Sequence, residues 1–133
     1  MKSLPWIRGL FVVAALYDAV LGVLFIVAPA WAYQTAGVTP PNHWGYIQFP
    51  AALLLVFGLM FLAIALDPRR RRMLIPYGIG LKLAYCAVVF AYWATTGIPG
   101  MWKPFAIIDI VMAVLFAWSY FALAGARTGQ ASQ

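Results

Sequence analysis

Apolar residues fall in four long runs, and the short stretches between them hold most of the charges and prolines. A helix needs about 20 mostly apolar residues to cross about 30 Å of hydrocarbon. The first run covers about 9–28 and is ended by Pro29. The second covers about 49–66, with Pro50 in its first turn, where a missing N–H does no harm. Asp67-Pro68 stops it. The third covers about 75–95, again with a proline, Pro76, in its first turn, and the fourth about 104–124. The residues after Gly125 are small and polar and are expected to fray. There is no repeat of fixed period and no sign of a second domain. The pattern predicts an all-α, four-helix transmembrane bundle, up-down-up-down, in one membrane domain over 1–133.

Composition supports this. The chain is 65% hydrophobic and 9% charged, against about 25% charged in a soluble domain. An ordinary soluble enzyme, a disordered tail and a disulfide-rich secreted module are excluded. The lone Cys86 allows no intrachain disulfide and no paired-thiol redox or metal chemistry. A net charge of +6 would suggest nucleic acid in a soluble protein. Here topology explains it, and no nucleic-acid partner is expected.

The cations set the orientation. Lys2 and Arg8 precede the first span, Arg69, Arg70, Arg71 and Arg72 separate the second from the third, and Arg127 follows the fourth. The other two connections hold only Lys103. Lys and Arg collect in cytoplasmic loops, so both termini are expected in the cytoplasm, in a cell membrane. A cleaved secretory signal ending near Ala30-Trp31-Ala32 is the rival for the first span. Its apolar run is too long for the usual signal core and is interrupted by Asp18, so retention is expected. The arginine run reads as a topology anchor, and also as a contact for anionic lipid.

The outer connection, 29–48, carries Trp31, Tyr33, Trp44, Tyr46 and the only histidine, His43. Trp and Tyr suit the headgroup level. The segment is expected to lie on the membrane, or else to cover a pocket that opens outward. One histidine makes no metal site, and no metal or cofactor is expected. No phosphate loop, Ser-His-Asp set or zinc motif is present, and no pair of histidines could hold a haem.

Three ionisable residues fall inside the spans: Asp18, Lys82 and Asp109. Each costs about 2.5–3.5 kcal/mol at mid-depth and should face protein or water. At about 1.5 Å per residue, Asp18 lies roughly 13 Å and Lys82 roughly 10 Å from the cytoplasmic side. Asp109 lies about a turn and a half below the outer side, at least about 10 Å from Lys82. The expectation is therefore an Asp18–Lys82 pair that Asp109 does not share. Lys103, His43 and Tyr92 are the candidate partners for Asp109. Ala14, Asp18 and Gly22 share one face of the first helix, as do Gly78, Lys82, Tyr85 and Cys86 of the third. Small residues allow close approach in lipid, so both faces read as inward. Gly80 is expected to add room beside Gly78. Tyr85 should line the space around the pair. The face of Asp109 carries Phe105, Met112, Ala113 and Phe116 and reads as packing. The aromatic residues of the later spans, Tyr85, Phe90, Tyr92, Trp93, Phe116, Trp118, Tyr120 and Phe121, are expected mainly to face lipid or to sit in the interfacial belt.

In size, in its four spans with both ends inside, in the stretch Asp67-Pro68-Arg69-Arg70-Arg71-Arg72 and in a Gly-rich third helix with Lys82, the chain resembles the DoxX-like small bacterial membrane proteins. The resemblance implies a four-helix membrane fold and an accessory role; some members are tied to quinone- or thiol-linked electron transfer. It carries over no functional residue. The small multidrug transporters are a more distant likeness, with an acidic residue in their first helix where this chain has Asp18. Their residue is a glutamate, not normally neutralised by a lysine in the third span. The expected function is a non-enzymatic binding or accessory module with a polar patch of Asp18, Lys82 and Tyr85. Its partners would be the bilayer, a hydrophobic small molecule, and a membrane-protein partner or second copy. The alternatives are a dimeric proton-coupled transporter using Asp18 as carrier, and a membrane enzyme using Asp18 or Asp109 on a lipid-like substrate.

Overall fold

The computed structural model describes residues 4–131, with side chains to residue 125. Lys2 lies outside the described residues, as does the side chain of Arg127. The protein is all-helical: α1 (Leu4–Val27), α2 (Pro29–Ala36), α3 (Gly45–Leu66), α4 (Ile75–Ala94) and α5 (Lys103–Ala131), with 3₁₀ turns at Arg72–Leu74 and Gly100–Trp102. Among the described residues, four stretches are long and apolar enough to cross a membrane: Leu4–Val27, Gly45–Leu66, Arg72–Ala94 and Gly100–Gly125.

Where the boundaries differ from expectation, proline chemistry explains most of the difference. Pro29 ends α1 and also begins α2, because at the first helical position its missing N–H is not needed. Gly37 closes α2 in the left-handed region at φ 69°, donating to the Gln34 carbonyl. The expected loop over 29–48 therefore contains a short helix. α3 starts at Gly45, so Pro50 sits inside the helix and not in its first turn. The Tyr46 carbonyl loses its usual i→i−4 donor there. α5 continues to Ala131, so the frayed tail is corrected: no proline follows Pro104 to stop the helix.

Packing follows small residues. Gly22 of α1 lies against Ala51 and Leu55 of α3, and Gly58 of α3 against Ala15 and Ala19 of α1. As numbers rise on one helix they fall on the other. A Cβ at Gly22 would stand 2.8 Å from the Ala51 carbonyl oxygen, so the backbones meet only because it is absent. α4 packs chiefly on α5, where the Cys86 thiol donates to the Ala106 carbonyl at 3.3 Å. The two helix pairs enclose two apolar cores. One, near the arginine turn, holds Phe11, Phe61 and Phe116, with Phe11 stacked on Phe116 at 4.8 Å between ring centres. The other, near α2, holds Phe25, Tyr33 and Ala51. Gly78 lies under the Phe61 ring, whereas Gly80 faces open space and does not add to the close approach expected of it.

Candidate functional site

The three span charges lie between the two cores. Lys82 Nζ of α4 donates to Asp18 Oδ1 of α1 at 2.9 Å, and both side chains are only 1% exposed. The expected pair is present. Asp109 is the correction: its Oδ1 lies 3.2 Å from the same ammonium. The depth estimate failed because it started the last helix level with the end of the one before. The Tyr85 hydroxyl donates to the Trp102 carbonyl at 2.8 Å, and Cys86 to Ala106. Ala106 of α5 is thus level with Cys86, about 12 Å below Ala94. The connection 95–102 folds back along α4 and carries Asp109 down to Lys82. Gly97, at φ 90°, makes that turn by donating to the Tyr92 carbonyl.

The other partners considered for Asp109 are engaged elsewhere or exposed. Lys103 Nζ lies 4.8 Å from the centre of the Trp93 ring. His43 accepts from the Gly45 N–H at 2.9 Å at the start of α3. Tyr92 is exposed.

The triad borders a cavity of about 440 Å³, within the range of small-molecule sites. Asp18, Lys82, Asp109, Tyr17 and Tyr85 supply its polar groups, and the rest of its lining is mainly apolar. Toward α2 it ends at Phe25, Ile47 and Trp102. Tyr33 of α2 packs on Trp102 and Trp44, with ring centres 6.0 and 5.2 Å away. Burial pushes the Tyr33 phenol pKa up from its ordinary value. Tyr33 and its aromatic neighbours thus pack behind that end of the cavity, and no residue of α2 lines it. Trp31 and Tyr46 are exposed. Pro50 and Leu53 of α3 and Val88 of α4 line the cavity yet are exposed, so it opens sideways between α3 and α4.

Several polar atoms in the triad region have no hydrogen bond: Asp18 Oδ2, Asp109 Oδ1 and the Tyr17 hydroxyl are buried without one. The Lys82 ammonium also faces the Tyr17 ring, 5.1 Å from its centre. Tyr17, Phe105 and Trp102 line the cavity but were not expected to. Tyr17 had a legible signal: a phenol at the middle of a span has no headgroup water and must meet protein. Phe105 was assigned to packing with Met112, Ala113 and Phe116, which are indeed buried. Among the later aromatics, Tyr92, Trp93, Trp118 and Phe121 are exposed. Tyr120 is not: Arg72 donates to its carbonyl at 2.8 Å and stacks 3.6 Å above its ring. Arg72 is thereby turned into the protein, and Arg69 is half-buried, while Arg70 and Arg71 are exposed.

No protein-family model, curated protein or solved structure matches this chain.

Proposed function

We propose that this is a small multi-pass protein of the cell membrane that binds a hydrophobic small molecule drawn from the bilayer. Its spans run up-down-up-down, with both termini and the arginine turn on the cytoplasmic side. The observation that carries the reading is the cavity of about 440 Å³, open toward lipid between α3 and α4, with a buried charged triad on its wall. An apolar chamber with a few convergent polar groups is the usual form of a ligand site. Its position suits a ligand that partitions into hydrocarbon first. An accessory role of the DoxX-like kind agrees with such a binding module. The enzyme reading is supported by the cavity's contact with both aspartates, but both carboxylates are engaged by the Lys82 ammonium.

The test uses protein in lipid nanodiscs and the neutral probe 1-naphthylmethanol, followed by equilibrium dialysis against empty nanodiscs. Saturable uptake of about one probe per chain is expected, and Val88→Trp, which fills the mouth, should abolish it. Uptake equal to that of empty nanodiscs would contradict the reading.

A further inference from the structure

Two carboxylates and one ammonium leave the triad with a formal charge of −1 when all are ionised. Net charge in a low-dielectric interior is costly, so a balancing charge is favoured. An anionic headgroup would double the imbalance. A neutral one would leave it. A single positive charge cancels it. Acceptors for such a group that lack a hydrogen bond lie just beneath the cavity surface. Asp18 Oδ2, on a side chain 99% buried, has no hydrogen bond, and Asp109 Oδ1 has only the ion-pair contact with Lys82. Both residues line the cavity. Aromatic rings of Tyr17, Phe57 and Phe105 border the same space and suit a cation or its apolar body.

We infer that the cavity takes an organic cation: an apolar, ring-sized body carrying one ammonium that donates to Asp18 Oδ2 and Asp109. This rests on the reading of the cavity as a binding site and names the charge of what it binds. Lys82 then positions the two carboxylates rather than meeting the ligand headgroup. Asp109→Asn leaves Lys82 and Asp18 balanced as a pair, so it should remove the preference for positive charge while keeping the cavity.

The experiment compares 1-naphthylmethylammonium, 1-naphthylmethanol and 1-naphthoate in the same nanodiscs, each corrected for empty nanodiscs. The ammonium should bind at least about tenfold tighter than the alcohol, as charge-assisted hydrogen bonds predict. The naphthoate should bind weakest. In Asp109→Asn the ammonium-to-alcohol ratio should fall to about one, and uptake of the alcohol that is still saturable and still blocked by Val88→Trp reports an intact cavity. Saturable uptake, sensitive to Val88→Trp, in which the alcohol matches the ammonium would overturn the charge inference alone. So would an ammonium-to-alcohol ratio unchanged in Asp109→Asn. Absence of saturable uptake for all three probes would overturn the binding-site reading and the inference with it.

Discussion

At the residue scale Lys82 has the most to lose. Among the described residues, its ammonium is the only positive charge in ion-pair contact with the two buried carboxylates. Removing one member of a buried ion pair typically costs about 3–5 kcal/mol, because its partner is left uncompensated. Lys82→Met strands two partners, so it should lower thermal stability in detergent micelles more than Asp18→Asn or Asp109→Asn. Adding Asp18→Asn to Lys82→Met should restore only part of the loss, because Asp109 stays unpaired; the triple change should restore more. Equal melting temperatures for the double and triple variants would count against a shared ammonium. Arg72 is a second residue whose role differs from its appearance in sequence. Arg72→Ala should destabilise by about 1–3 kcal/mol through loss of its charged hydrogen bond and ring contact. Arg70→Ala and Arg71→Ala should leave stability unchanged and weaken binding of anionic vesicles, by about 1 kcal/mol each. The Asp18–Lys82 pair was legible because two opposite charges at similar depth have few other ways to be satisfied. Asp109 was not, because its depth depends on how far the eight-residue connection 95–102 folds back, which no hydrophobic pattern records.

Single helices show the same division. The apolar runs located α1, α3, α4 and α5, since crossing hydrocarbon demands length and little else. α2 escaped notice because its proline reads equally as a stop and as a start. Glycine has a comparable ambiguity, which the packing resolves. Gly22→Ala would place a Cβ 2.8 Å from a backbone carbonyl and should cost about 1–3 kcal/mol. Gly58→Ala, whose nearest neighbour would be 3.2 Å away, should cost less. Gly80→Ala meets nothing within 4 Å and should be neutral or stabilising by up to about 1 kcal/mol, since alanine is the better helix former. Denaturation midpoints of the three variants, in that order, check the α1–α3 register. An equal loss at Gly22 and Gly80 would contradict it.

Across the whole molecule, the helices pack as two pairs, α1 with α3 and α4 with α5. Where the pairs meet near the arginine turn, Phe11, Phe61 and Phe116 fill the space. Toward α2 the filling is incomplete, and the cavity remains with the triad on its wall. A solid bundle would have buried the same charges with no route to a ligand. What unites the account is that one ammonium from α4 holds a carboxylate from each pair, Asp18 and Asp109, beside that cavity. The chain has only three aspartates and no glutamate, and three lysines, which makes the claim directly measurable. Dipolar recoupling by solid-state NMR, on protein in lipid bilayers labelled at lysine Nζ and aspartate carboxyl carbon, reports the distances. Lys82 should be dephased by two carboxyl carbons within about 4 Å, the spacing of close ion pairs, and by one in Asp109→Asn. A Lys82 signal dephased by a single carboxyl in the wild-type protein, or by none, would contradict the account.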